Sequence, residues 1–280
     1  MTPAPLADLA AITEFWQARA HLAMFPLNNL RHHGLDNDHP FSLRLWLRRQ
    51  TGAVSDVLAL TRAGMAMPCF TTDAAAAAAS AVLRGQEVTG IIGPQAAARA
   101  LEAGLGLTGA PRHLDHDEPH FLLDLALLHL TDGPGVLVPL QDAPAGIIKS
   151  WMLDYQLGTL NTPPARAQPL VEEAYGRMVP HNSHRVLMQG NQPLAMTGFN
   201  ATLPEIVQIG GVYTPPALRG RGHARRAVAL HLAEAAATGV QRATLFSASD
   251  MAARAYLAIG FAPVGTWTLL LFDGPQRVEG

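Results

Sequence analysis

Arg219-Gly220-Arg221-Gly222-His223-Ala224-Arg225-Arg226 places four arginines around two glycines spaced by one. Cations joined to a flexible backbone suit an anionic ligand. Glycine lets a phosphate approach main-chain N–H groups without a side chain in the way. The free N–H groups of a helix's first turn, together with the helix dipole, converge on negative charge. Pro215-Pro216 just upstream donates no hydrogen bonds and stops a strand, which fixes where the loop begins. The segment therefore reads as strand, turn, glycine-rich loop and helix: a phosphate or pyrophosphate seat, with a solvated basic turn as the alternative. Two nucleotide loops are a poor fit. No lysine supplies G-x-x-x-x-G-K-[ST], and G-x-G-x-x-G would need its third glycine at position 225, which is arginine.

Arg219 to Ala224 matches [Q/R]-x-x-G-x-[G/A] and so resembles the acetyl-CoA signature of the GNAT acetyltransferase superfamily. "SDMAARAYLAIGF" (249–261) resembles the closing motif of that family, a tyrosine-bearing helix followed by Gly-Phe and a last strand. The resemblance implies acetyl-CoA as cosubstrate. Val212, Tyr213 and Thr214 at the strand end would pair with the pantetheine arm. The N–H groups of Gly220, Arg221, Gly222, His223, Ala224 and Arg225, beside Arg219, would cradle the pyrophosphate. Tyr256 would be the general acid that protonates the departing thiolate. Many members carry a cofactor-contacting asparagine seven residues before that tyrosine; here Ser249 stands there. The pair Gly210-Gly211 falls where the family's fourth strand often bulges away from the fifth. A bulge suits glycine, and a plain flexible strand suits it nearly as well.

Acetyl transfer to an amine needs a donor for the thioester carbonyl, a base for the amine proton and an acid for the thiolate. A strand N–H near Tyr213 is the candidate donor and Tyr256 the candidate acid. Glu205, just before the strand, is the leading candidate base, with His181 and His184 of "HNSH" behind it. His223 helps the anion or faces solvent. "HLDHDEPH" (113–120) could offer metal ligands at helical spacing, but Pro119 and the acidic charge favour a solvated loop, and no metal is expected.

The elements that must position these residues occupy a chain of 280 residues, 49% hydrophobic and 15% charged, enough for two domains with substantial cores. The net charge of −2 disfavours nucleic acid and anionic membranes as partners. It divides as −4 over residues 1–140 and +2 over 141–280, the half with the arginine loop. Cys69 is the single cysteine, so neither an intrachain disulfide nor a cysteine zinc site is available. The first residues do not read as a signal peptide, and no apolar run approaches the ~18 residues of a membrane span. A cytoplasmic monomer or homodimer is expected.

Turn-rich "TDGPG" (131–135) and "QDAPAG" (141–146) suggest a boundary, giving domains 1–140 and 141–280. The second begins with helices near 147–160 and 165–179, then three strands, the first two joined at Gly190-Asn191. A helix near 223–238, a strand from 242, a helix from 250 and a strand over 265–272 complete an α/β mixture with a mostly antiparallel sheet, resembling the GNAT fold. In the first domain, 41–50 alternates as a strand, two strands meet at Ala63-Gly64, and Thr71-Thr72-Asp73 caps an alanine helix. Residues 119–130 read as strand or helix. The first domain is a degenerate copy of the same fold, an unrelated α/β cap or a dimerisation domain. The sequence thus points to an acetyl-CoA-dependent N-acetyltransferase acting on a small-molecule amine or a peptide. A non-catalytic acyl-CoA-binding regulatory module is the rival.

Overall fold

The computed structural model describes residues 1–72 and 74–279. In chain order the elements are β1 Thr2–Pro3, α1 Leu9–Gln17, α2 Met24–His33, β2 Leu43–Gln50, β3 Ala53–Thr61, β4 Met65–Cys69, α3 Ala74–Leu83, β5 Glu87–Pro94, α4 Gln95–Gly104 and β6 Arg112–Asp124. They continue with β7 Val136–Pro139, α5 Ala145–Gly158, α6 Pro164–His181, β8 His184–Gln189, β9 Gln192–Thr202, β10 Ile206–Tyr213, α7 His223–Ala237, β11 Arg242–Phe246, α8 Asp250–Leu257 and β12 Ala262–Arg277. The chain forms two compact units, one of residues 1–118 with 265–280 and one of residues 119–264.

In the first unit the strands run in the order β1-β2-β3-β4-β5-β12. β2, β3 and β4 form antiparallel hairpins, β4 and β5 are parallel, and β12 returns antiparallel along β5 from Trp267↔Pro94 to Arg277↔Glu87. Leu43, Leu45 and Leu47 alternate inward as their spacing predicts. Trp46, Leu58, Leu60, Leu83, Leu101, Leu270 and Phe272 share one core. Asp73, proposed as part of a cap, lies outside the described residues. Thr71 donates its N–H to buried Asp56 Oδ1 (2.7 Å) and its hydroxyl to Ser55 O.

The acidic stretch 113–120 is strand, not loop: it lies within β6. Its carboxylates do not repel one another into solvent because arginines hold them. Arg99 pairs with Asp115 and Asp117, and Arg112 with Asp115 and buried Glu102. No metal-sized group of three His, Cys, Asp or Glu exists among the described residues. Residues 119–124 continue the strand, and a 3-10 turn, Leu125–Leu127, follows.

In the second unit the order is β6-β11-β10-β9-β8-β7. All neighbours are antiparallel except β10 and β11. The Gly190-Asn191 turn joins β8 to β9, with Gly190 at φ +58°. The compact units do not meet at residue 140. The stretch read as a linker, 131–135, belongs to the second unit, where the Arg226 guanidinium gathers the carbonyls of Thr131, Pro134 and Gly135. β7 then pairs with β8. Glycine and proline mark a turn here, and Arg226 of α7 ties that turn to the second unit.

Fully buried Leu270 sits 150 residues or more beyond most of the core it completes. Leu270→Ala is expected to cost the first unit about 3 kcal/mol, read as a lower urea midpoint of the transition that exposes Trp46.

Candidate active site

The site is built on β10. Opposite β9, Gly210 pairs with Gly198 and Tyr213 with Met196, so three steps on β10 answer two on β9. The extra residue is a β-bulge, and Gly211 takes it at φ +61°, where a side chain would strain the backbone. On its other side β10 pairs with β11 only from Ile206↔Arg242 to Gln208↔Thr244. Past Gln208 the two parallel strands part, and the backbone of 209–214 lines a cleft.

The cleft leads to the arginine loop. After Tyr213 the Thr214 hydroxyl is buried with no partner. Pro216–Leu218 makes one 3-10 turn, and Gly220 and Gly222 follow at φ +75° and +80°. Gly222 is the N-cap of α7, and no side chain caps the helix. The first-turn N–H groups therefore remain available to a ligand. A Cβ at Gly220 would meet open space, so that glycine serves conformation rather than packing.

The four arginines have different tasks. Arg226 is taken by the carbonyls of 131–135 and does not face the loop. Arg219 donates to Thr214 O (3.0 Å) and lies over the Tyr213 ring, 5.9 Å from its centre. Arg221 is exposed. Arg225 folds back on the loop: a Cβ on Gly222 would stand 3.4 Å from its Nη2, and its Nε is buried with no partner. A buried guanidinium N–H without an acceptor points to an anion as the missing partner. Burial and the charge of Arg221 push the His223 pKa down, so that ring stays neutral at the start of α7.

Tyr213 turns its side chain to the face of the sheet covered by α5. Its hydroxyl donates to Asp154 Oδ2 (2.9 Å) and its ring packs on Trp151. Burial, then the Asp154 hydrogen bond, raise its pKa. Tyr256 on α8 is buried in the core beneath β10 and β11, edge-on to Phe261 at 6.0 Å. Ser249 is the N-cap of α8, its Oγ accepting from Ala252 N (3.3 Å).

Not every expected residue comes to the cleft. Glu205 stands at the other end of β10, six residues and roughly 20 Å of strand from Gly211. Its side chain is 70% exposed and paired with Arg242 at 3.8 Å. His181 is exposed at the end of α6. His184 does reach the bulge, and so does Asn200, which the sequence does not single out: a Cβ on Gly210 would fall 1.8 Å from Asn200 Nδ2. The sequence names His184 as a candidate base, and nothing local in it leads to Asn200.

The first unit repeats the strand–helix–parallel strand arrangement at β4, α3 and β5, but closed. A Cβ on Gly93 of β5 would stand 3.1 Å from Pro68 O and 3.3 Å from Pro68 Cδ. Pro68 thus fills the space between those strands and offers no N–H.

Residues 147–261 match the Acetyltransferase (GNAT) family. No curated protein matches the chain. Among solved structures, a GCN5-related N-acetyltransferase from Kribbella flavida is 17% identical, with 92% of this chain and 95% of that one covered at a TM-score of 0.56. A GNAT-family acetyltransferase from Colwellia psychrerythraea is 13% identical (98% and 100% covered, TM-score 0.53). A tandem GNAT protein from the clavulanic acid biosynthesis pathway is 15% identical (100% and 98% covered, TM-score 0.52). At these identities the likeness is one of fold. It spans both units, so the tandem arrangement holds at that level. The bulged β10 and the double-glycine turn into α7 both lie within residues 147–261, the segment that matches the Acetyltransferase (GNAT) family.

Proposed function

We propose that the second unit transfers the acetyl group of acetyl-CoA to a primary amine of a small molecule or peptide. The observation that carries this is the continuous track from the parted strands β10 and β11 to the uncapped first turn of α7. One end offers strand N–H and C=O groups free of a neighbour. The other offers helix N–H groups beside Arg219, Arg221 and Arg225. A cosubstrate with an amide-rich arm and a pyrophosphate is complementary to both ends. Buried Arg225 Nε and Thr214 Oγ1, each without a partner, fit the pyrophosphate end.

In this reading Val212, Tyr213 and Thr214 hold the arm by main-chain hydrogen bonds. The N–H groups of Gly220 through Arg225 hold the pyrophosphate. Bound there, acetyl-CoA supplies an activated acyl group. A β10 N–H near the bulge polarises its carbonyl, and Tyr256 gives a proton to the leaving sulfur. Ser249, already the cap of α8, orders the helix that carries Tyr256 and adds a hydroxyl near the arm. The closed β4–β5 seam leaves the first unit without a cofactor seat. No helix among the described residues is long and apolar enough to cross a membrane.

Calorimetric titration with acetyl-CoA tests the seat. One molecule is expected to bind per chain, at micromolar strength, with ADP binding more weakly. Gly222→Glu adds bulk and negative charge at a φ of +80° and is expected to abolish binding while the fold persists by circular dichroism. Unchanged affinity in that variant removes the site assignment. Tyr256→Phe is expected to keep the affinity and slow thiol release about 10²-fold or more. Tight binding with no thiol release against any amine tried would move the protein to a binding role.

A further inference from the structure

His184 is the first residue of β8 and is 2% exposed. Its register partner across β9 is Gly198, and the ring lies flat on that glycine: a Cβ there would fall 2.2 Å from Cδ2 and Nε2. The ring then reaches β10, where a Cβ on Gly211 would stand 3.1 Å from Nε2. Side chains two apart on a strand share a face. His184 is therefore on the face of Val186 and Met196, which packs with Trp151, Val171 and Tyr213 against α5 and α6. Asn200 lies on the same face over Gly210. Bare glycines at 198, 210 and 211 thus bring an imidazole and an amide onto the backbone of the bulge. Nδ1 is 2.9 Å from Ser183 Oγ, and Nε2 is buried with no partner. A fully buried imidazole nitrogen without a partner, directed at the Gly210-Gly211 bulge of β10, is not explained by packing.

Resting on the acetyl-transfer reading above, we propose that His184 is the base of the second unit, its Nε2 taking the proton that the acceptor nitrogen sheds as it is acylated. Ser183 Oγ accepts Nδ1–H, which leaves the Nε2 lone pair free. Burial, then the nearby Arg185, push the His184 pKa down to about 4, so the ring is neutral at physiological pH. The charged and titratable groups near it are Arg185 and His231, with the Tyr213–Asp154 pair on its own face of the sheet. The Arg185 guanidinium turns to Glu234 of α7 (2.8 Å), and burial pushes the His231 pKa down to about 3, so that ring is neutral too.

The acceptor enters as the free amine. Its lone pair forms the C–N bond, the C–S bond breaks, and that electron pair leaves on sulfur. The nitrogen, made strongly acidic by bonding to the acyl carbon, gives one proton to Nε2. Tyr256 gives its proton to the thiolate and regains one from solvent, and the proton on Nε2 passes to solvent as the products leave. Glu205, at the far end of β10, has no part in this.

Nitrogen NMR of histidine-labelled protein gives the first test and needs neither cosubstrate nor acceptor. At neutral pH His184 is expected to carry its proton on Nδ1 with Nε2 bare; an Nε2–H tautomer overturns the proposal. The second test uses His184→Ala and hydroxylamine, a neutral amine small enough for any acceptor pocket, with thiol release from acetyl-CoA as readout. The variant is expected to lose about 10²–10⁴-fold in rate with acetyl-CoA affinity kept within about threefold, and added imidazole is expected to recover about tenfold. A rate within about threefold of wild type, or a loss that imidazole does not restore, overturns it. Calorimetry separates the two readings. Failure of wild type to bind acetyl-CoA removes the cofactor seat, whereas intact binding with an unaffected variant removes only the role of His184.

Discussion

One extra residue in β10 governs the second unit. The ladder between β10 and β11 ends after three pairs at Gln208, where β9 and β10 slip register, and the bulge at Gly210-Gly211 follows directly. A regular parallel pair would satisfy its own N–H and C=O groups along the whole length and leave nothing for a ligand. The bulge removes those partners, and the packing around it keeps them removed. The His184 ring over Gly198 and the Asn200 amide over Gly210 occupy the volume that ordinary side chains would take. The three glycines are thus one device, since each permits a neighbour to sit directly on main chain.

Electrostatics at the loop follow from how the fold distributes its arginines. Arg226 leaves the cluster to organise carbonyls of 131–135, where charge-assisted hydrogen bonds replace water. Arg219 is held by Thr214 O and by the face of Tyr213. Arg225 alone combines burial with an unused donor. With the unpaired amides of α7, this makes the loop complementary to an extended anion rather than generally basic. The neutral ring of His223 belongs to the same arrangement, because a further cation beside Arg221 would repel it.

The two units apply one topology to different ends. In each, a strand leads through a helix to a parallel neighbour. In the second the pair is splayed by glycine. In the first it is closed by Pro68 against Gly93, and the N–H of Thr71 in the following turn is satisfied by the Asp56 carboxylate. A proline and a buried aspartate thus replace the features that would admit an anionic ligand. What distinguishes the units is a handful of backbone-level substitutions and not a change in architecture.

Much of this was open to reading in the chain itself. Alternation in 43–47, the Gly190-Asn191 hairpin and the Pro-Pro to Gly-x-Gly to helix succession are local, and local φ/ψ preferences and side-chain period determine them. The glycine-arginine turn into α7 was legible for the same reason: its residues are contiguous. Partners brought together across strands were not. The hairpin turn alone would set His184 opposite residue 197, but the register slips at Leu187/Met188, moving its partner to Gly198. One residue of slip exchanges the faces of a strand, so composition and spacing could not place the imidazole at the bulge or exclude Glu205 from it. The acidic stretch 113–120 was misread for a related reason, because its charges are neutralised by Arg99 and Arg112, whose approach only the tertiary fold arranges. The sequence by itself determined most of the elements and the glycine-arginine turn that starts α7. The tertiary structure decided which side chains meet at the bulge, because register and long-range charge pairing depend on contacts that no local stretch contains.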